Sequence, residues 1–399
     1  AAAARFDVPI AIHWYNWHEI PFDVNYPEYF PAKPGFAEGV RELVAAGQVV
    51  MPYINGRLWD IGGANFPAAR PAACKQPGGA EVYVEPYGSG AKLAPMCPAT
   101  PHWRSRVGDI VRRLAEECGV NAVYIDQIGS AGPVLCHDPA HGHPLGGGGH
   151  WVKGYREMLE PLRDFASRRG MVLTTENNAE PYMDTIDAFL IWLPRSDDEV
   201  PLITAVYGGR AVYFSSPSRE GMEPDAFTMV QGRDLLWGCQ LGWMGFDLLE
   251  PARDEQARYL LECARYRRAL EKFLLEGELL GALAPLEPPP PIEGKWGGWK
   301  GTHPATLPSV ISAVWRAPDG HVAVIIANLS REPRIFAYDF DGAAWGLAAG
   351  SGAGSGAGKL RIERITPSKR ESLGSVDFKF RRSESLAPRE ILALEISAP

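Results

Sequence analysis

The stretch Asn121-Ala122-Val123-Tyr124-Ile125-Asp126-Gln127 decides the fold. Residues 122–125 are apolar and rich in strand formers, and Gly119 separates them from a helix-like run over 104–118. The strand pattern stops at Asp126, with Gln127, Ile128 and Gly129 beyond. A carboxylate where a buried parallel strand ends is where a β/α barrel carries its chemistry. A second run, Met171-Val172-Leu173-Thr174-Thr175, ends the same way in Glu176. A single strand-end acid is as readily a cap or an arginine partner as a catalyst. Two of them, with aromatics crowding neighbouring strand ends, point to cleavage of a glycosidic bond.

The chain has 399 residues, room for a barrel of about 250 residues and a second domain. Hydrophobic residues make up 46% and charged residues 22%, a globular composition. A net charge of −8 lacks the clustered basic face of a nucleic-acid binder. No apolar run reaches the roughly 18 residues of a membrane span. Ala1 to Ala4 precede Arg5 without a secretory signal pattern. The expected location is secreted or periplasmic if a signal was removed, and cytoplasmic otherwise. Six cysteines (Cys74, Cys97, Cys118, Cys136, Cys239, Cys263) form no CxxC pair, and their disulfide pairing cannot be assigned from spacing.

Outward from the central stretch, strands and helices alternate. Residues 8–13 read as a first strand running into Trp14-Tyr15-Asn16-Trp17-His18. Residues 36–46 read as an amphipathic helix, and 48–54 as a strand ending in Asn55-Gly56-Arg57-Leu58-Trp59-Asp60. The loop-rich segment 61–100 is assigned a third barrel strand or an excursion. Thr100 and Pro101 suit the start of a helix over 102–118. Residues 151–169 form a helix closed by Gly170, and strands follow at 186–192 and 210–216. Helix 225–238, strand 241–246 and helix 252–274 complete the series. The count approaches eight, and no Gly-rich nucleotide fingerprint favours an open sheet. The expected fold class is α/β, a (β/α)8 TIM barrel over 1–274 followed by an all-β sandwich over 275–399. The boundary lies near the four-proline run at 288–291, beyond which strand-like runs alternate with turns. The Gly/Ser/Ala run 350–358 reads as a flexible loop.

Fifty residues separate Asp126 from Glu176, enough for a loop, a helix and a strand. The two acids therefore sit on consecutive parallel strands about 5 Å apart. The expected mechanism is retaining, with Asp126 as nucleophile and Glu176 as acid/base. A short Asp suits attack, and a longer Glu reaches the leaving group; an inverting mechanism differs mainly in carboxyl separation. Trp14, Trp17, Trp59 and Trp192 are candidate sugar platforms, although a lone Trp is more often core. His18, Asn55, Arg57, Asp60, Gln127 and Asn177 are candidate polar contacts. Asp197-Asp198 is a runner-up acid position, more simply read as an exposed loop.

The loop Cys136-His137-Asp138-Pro139-Ala140-His141-Gly142-His143 carries metal-ligand residue types. It lacks a helical HExxH arrangement, so the expectation is no metal and no cofactor, with His143 or His141 contacting substrate. The expected partner is an oligosaccharide or polysaccharide; sugar identity, exo or endo action and oligomeric state are not encoded legibly.

Four sets of residues also resemble a known group. These are His13 to His18 with the Pro21-Phe22-Asp23 turn, Met51-Pro52-Tyr53-Ile54-Asn55-Gly56-Arg57-Leu58-Trp59-Asp60, Tyr124-Ile125-Asp126-Gln127, and the loop from Cys136 to Gly149. Together they resemble an uncharacterised group of bacterial barrel glycosidase-like proteins over roughly residues 8–270. That group is distantly similar to the endo-α-N-acetylgalactosaminidases of glycoside hydrolase family 101. The resemblance implies an Asp nucleophile and a Glu acid/base on successive barrel strands, matching Asp126 and Glu176, with a β-sandwich after the barrel. The large domain that usually precedes such barrels has no counterpart here, which leaves the N-terminus an open question. Rival readings are a non-catalytic carbohydrate-binding barrel and a metal-dependent hydrolase built on the His-rich loop.

Overall fold

The computed structural model describes residues 5–191, 196–214, 222–298, 301–348 and 358–398. The chain divides into two compact units at 190/191.

The first unit is built on β1 (Ala11–Trp14), α1 (Phe36–Ala45), β2 (Val49–Asn55), β3 (Leu58–Asp60), β4 (Glu85–Pro86), β5 (Lys92–Pro95), α2 (Pro101–Arg113), β6 (Ala122–Asp126), α3 (His150–Arg169), β7 (Val172–Glu176) and β8 (Ala188–Leu190). Strands run in the order β1-β2-β6-β7-β8, every pair parallel. All of β6 is buried, as is β2 beyond Val49, which is why both read as near-continuous apolar runs rather than alternating ones. Helix α3 starts at His150 and ends against Gly170 at φ 63, a left-handed position that only glycine takes without a Cβ clash. Thr100 does precede α2, but its hydroxyl bonds the Cys97 carbonyl at 2.8 Å instead of capping the helix.

Of the two readings of 61–100, a third barrel strand or an excursion, the structure takes the excursion. No strand of that segment joins the parallel sheet; β2 pairs directly with β6. Instead β3, β5 and β4 form a separate antiparallel sheet. The segment's Gly and Pro content keeps its strands short, and short strands pair with their sequence neighbours. The full set of eight strands is not reached among the described residues.

The second unit contains α4 (Leu202–Tyr207), β9 (Val212–Phe214), α5 (Pro224–Leu236) and α6 (Asp254–Ala269), then a single helical turn at Glu271–Leu274 and a run of strands. Residues 241–246 make no continuous strand; Gly242 sits at φ 100 and a 3-10 turn starts at Phe246. The strands are β10 (Glu278–Gly281), β11 (Pro291–Gly298), β12 (Gly301–Pro308), β13 (Val310–Arg316), β14 (Val322–Asn328), β15 (Arg334–Asp341), β16 (Lys359–Ile365), β17 (Arg370–Asp377), β18 (Lys379–Leu386) and β19 (Ile391–Ser397). Six of them form an antiparallel sheet, β10-β13-β14-β19-β16-β17; β11 pairs with β12 and β15 with β18. One hydrophobic cluster takes Val314, Val324, Ile326 and Leu394 from the six-stranded sheet and Phe336, Tyr338, Phe340 and Leu386 from the β15–β18 pair. The proline run leads straight into β11, whose first residue is Pro291, a place where a missing N–H costs least. The glycine-rich loop expected at 350–358 lies, but for Gly358, outside the described residues. No described helix is long and apolar enough to cross a membrane.

Candidate active site

Register decides which side chains meet. Asn55 pairs with Asp126 across β2 and β6, Tyr53 with Tyr124, and Tyr124 with Thr174 across β6 and β7. Two residues further along, Asp126 and Glu176 stand level. Because alternate side chains share a face, Tyr53, Asn55, Tyr124, Asp126, Thr174 and Glu176 all project to one side. Asp126 is buried and Glu176 half-buried.

Asp126 is held by donors. Tyr53 Oη donates to Asp126 Oδ2 at 2.9 Å, and the Tyr124 hydroxyl and the Gln127 backbone N–H donate as well. The Ser130 hydroxyl donates to Glu176 Oε2. The two carboxyls are near enough that the Glu176 charge acts on Asp126. Burial raises the Asp126 carboxyl well above the usual range, and the neighbouring Glu176 charge raises it further; the Tyr53, Tyr124 and Gln127 donors pull it partly back. Burial also raises Glu176, against the Ser130 donor. Two acids this close inside the protein do not both ionise near neutrality, so the pair holds one proton between them.

Aromatic rings wall this pair. The His13 ring lies 4.3 Å from Tyr124 and 4.5 Å from Tyr15. Tyr15 stacks on Tyr53 at 5.0 Å, and Phe22, 38% exposed, lies 5.2 Å from Tyr53. Burial pushes His13 down to about 3, so its imidazole is neutral at working pH. Nearby Asp23 sits at φ 61 with its carboxyl raised by burial to about 6, and its charge and that of Asp126 both act on Tyr26. Both acid strands end in a left-handed, non-glycine residue, Gln127 at φ 67 and Asn177 at φ 53, a conformation that concentrates at functional sites.

The sequence-derived contacts divide. Gln127 belongs to the site's support: its Oε1 accepts from Arg57 Nη1 at 3.2 Å and its Nε2 donates to Tyr87 Oη at 2.8 Å. Arg57 is buried, and its guanidinium donates to both Glu85 oxygens at 2.8 and 2.6 Å. Asn55 stands beside Asp126, but its Oδ1 accepts from the Arg57 and Leu58 N–H groups and closes the turn. Asn177 is half-buried and donates its backbone N–H to Leu190 O at 2.8 Å.

Other positions are corrected. Trp14 alternates with His13 and meets Phe36 of α1 edge-on, on the helix side of the sheet. Trp17 is fully buried, with its indole N–H on the Tyr53 carbonyl at 2.8 Å. Trp59 is buried between Trp103 and the Arg106 guanidinium. His18 is fully buried against Tyr26 and Tyr29, with Nδ1 on Ile20 O. Asp60 holds turns, accepting from the Asn25 and Gly62 N–H groups. His143 points its Nε2 at Cys97 Sγ, 3.4 Å away, rather than at the acid pair. Trp192 lies outside the described residues, and Asp197 accepts from Thr306 N–H in the second unit. Tyr15, Tyr53, Tyr124, His13 and Ser130 were absent from the sequence-derived set. The signal for the first four was the period of two: Tyr53-x-Asn55, Tyr124-x-Asp126 and His13-x-Tyr15 each put a ring one step below a strand-end position.

Two groups carry metal-ligand types among the described residues. Asp319, His321 and Glu395 already hold cations, with Lys272 Nζ 2.7 Å from both acids and Arg370 on Glu395. The other comprises Cys97, Cys136, His141 and His143.

The family model described as "Domain of unknown function (DUF6259)" matches residues 1–217. The chain is 32% identical over 336 residues to a Bacteroides thetaiotaomicron protein named "Putative glycoside hydrolase", covering 81% of this chain and 48% of that one. It spans about half or less of the length of the curated relatives it matches. Among solved structures, a GH27 β-L-arabinopyranosidase from Geobacillus stearothermophilus matches with a TM-score of 0.55 at 11% identity, over 97% of this chain and 87% of that one. The α-N-acetylgalactosaminidase NagBb from Bifidobacterium bifidum matches with a TM-score of 0.52 at 16% identity, over 78% and 48%. At these identities the likeness is one of fold.

Proposed function

The chain belongs to the DUF6259 family, and from that footing we propose that it is a retaining glycoside hydrolase acting on an α-linked hexose or N-acetylhexosamine. The observation that carries this reading is the pair of raised carboxyls standing level at the ends of adjacent parallel strands. Their closeness favours a retaining over an inverting enzyme, which needs about 6.5–9.5 Å between its acids to seat a water. The fold likeness to glycosidases and the name of the Bacteroides relative support the same class.

Asp126 is the nucleophile. Three donors favour its carboxylate against the burial that raises it, and the anion, present once the pair's proton sits on Glu176, is what attack on an anomeric carbon requires. Glu176, with one hydroxyl donor and partial exposure, carries the shared proton to the leaving oxygen as the bond to the aglycone breaks. It then takes a proton from water, whose oxygen displaces Asp126 from the anomeric carbon. Two displacements return the original anomer. Partly exposed Tyr15, stacked on buried Tyr53, and half-exposed Phe22 offer the ring surface for the sugar, and the substrate is an oligosaccharide or polysaccharide. The same proposal takes 1–274 as a (β/α)8 barrel and 275–399 as a sandwich, with the β15–β18 pair facing the six-stranded sheet.

A screen of aryl α- and β-glycosides, with NMR following the first-formed product anomer, tests this. The expected result is turnover of an α-glycoside with release of the α-anomer first. Release of the β-anomer first overturns the retaining mechanism; sugar binding without turnover of any glycoside makes the chain a binding barrel.

A further inference from the structure

We propose that Cys97, Cys136, His141 and His143 form a structural zinc site, with Cys74 supporting it. One ligand atom from each of the four lies within 4.8 Å of all the others. Cys136 Sγ is 3.3 Å from His141 Nδ1, and Cys97 Sγ is 3.4 Å from His143 Nε2. Tetrahedral zinc, with Zn–S near 2.3 Å and Zn–N near 2.0–2.1 Å, places its ligand atoms about 3.4–3.8 Å apart. The cluster needs only a small contraction to close on an ion.

The outer nitrogens make the stronger argument. His141 Nε2 lies 2.6 Å from the Pro71 carbonyl, and His143 Nδ1 lies 2.8 Å from the Pro144 carbonyl. A carbonyl only accepts, so each outer nitrogen carries the proton and each inner nitrogen presents a lone pair to sulfur. That is the arrangement by which ligating histidines are oriented around zinc. His150 stacks on His143 at 3.8 Å and holds its plane. The Cys74 side chain neighbours those of Cys97 and Cys136, and all three cysteines are fully buried. Three thiols and two inward-facing imidazoles are a poor apolar core and a good ligand set. Two cysteines and two histidines with no open position is the closed, structural kind of site.

The ligands come from different loops. Cys97 follows β5, and Cys74 lies in the segment before β4. Cys136, His141 and His143 lie in the long loop after β6. Backbone bonds already stitch these loops together: Cys74 N to Pro95 O, Cys97 N to Ala72 O and His137 N to Lys75 O, each 2.9 Å. The β3–β5–β4 excursion also carries Glu85 and Tyr87, which hold Arg57 and Gln127 next to Asp126. A zinc ion here fastens the excursion to the loop after the nucleophile strand without touching substrate.

The test is metal content of the full chain purified without chelator. Elemental analysis is expected to find about one zinc per chain, as a closed four-ligand site holds one ion. The metal-free chain titrated with cobalt(II) is expected to show the visible d–d and sulfur-to-metal bands of a tetrahedral thiolate complex. Both signals are expected to vanish in the Cys136→Ser, His141→Gln variant, with circular dichroism reporting its fold. Wild-type chain stripped by chelator is expected to lose thermal stability and to regain it with zinc. Zinc-free wild-type protein that gives no cobalt thiolate spectrum overturns the proposal. So does a native disulfide among Cys74, Cys97 and Cys136, or full metal content in the double variant.

Discussion

Tyr53 and Tyr124 stand one step below the acids, and their hydroxyls partly offset the burial that keeps Asp126 from ionising. Tyr53→Phe removes a hydrogen bond to a charged acceptor, worth about 1.5–3 kcal/mol, so kcat is expected to fall about 10- to 100-fold. Loss of a donor that favours the carboxylate raises its pKa. The acidic limb of the pH–rate profile is therefore expected to move to higher pH, whereas a purely structural tyrosine would leave that limb in place. Asp126 itself is expected to trade stability for function. Its folded-state pKa lies above the unfolded value, so the native protein holds the proton more tightly and stability falls as pH rises through that window. Asp126→Asn is expected to be more stable than the wild type by about 1–3 kcal/mol near pH 8, the gap closing toward about pH 5. Urea unfolding at the two pH values measures it; a variant less stable at both contradicts it. At this scale the acids and Gln127 were legible because each ends an unmistakable strand. The tryptophans misled because a position near a strand end does not say which face a ring takes. Trp14 is one residue out of phase with His13, which turns it to the helix layer. The cysteine cluster was illegible because its ligands are drawn from distant loops, and long spacings carry no signature.

Among the elements, the turn after β6 packs closely on the end of β7. A Cβ on Gly129 would lie 2.5 Å from the Glu176 carbonyl oxygen and 3.1 Å from that of Asn177. Gly129→Ala is expected to push the two strand ends apart, costing about 1–3 kcal/mol of stability and lowering kcat by displacing Glu176. Thermal melts and steady-state kinetics read the two effects, and unchanged values for both would show that the turn has slack. Glu85→Gln leaves the buried Arg57 guanidinium without its carboxylate. Because Glu85 is itself about one-third exposed, the expected cost is only about 1–2 kcal/mol, with activity falling through Gln127. The runs that became β2, β6 and β7 were legible from continuous burial. The excursion was not, since residues 61–100 carry strand formers too sparsely to show whether they join the main sheet. The break between β17 and β18 is equally hard to see in sequence, because only Phe378 separates them.

Across the whole molecule, sequence texture changes near the proline run, while the compact division falls at 190/191. Within the second unit the two textures are joined by Trp315. Its indole N–H donates to Leu236 O at 2.8 Å, and Gly238 leaves room for the ring, since a Cβ there would lie 2.8 Å from Cη2. Trp315→Ala is expected to destabilise this unit by about 3–5 kcal/mol, measured by denaturant unfolding. A cost below about 1 kcal/mol would show that helices and sheet are independent. Composition could reveal the change from α/β to all-β texture but not this seam, because a buried indole reads the same wherever it packs.

The most direct measurement compares steady-state turnover of a cleaved aryl α-glycoside by the wild type, Asp126→Asn and Glu176→Gln, each shown folded by circular dichroism. Both variants are expected to lose at least about 10³-fold in kcat, the range for removing a nucleophile or an acid/base. Either variant retaining turnover within about tenfold of the wild type would remove that carboxyl from the mechanism and contradict the account.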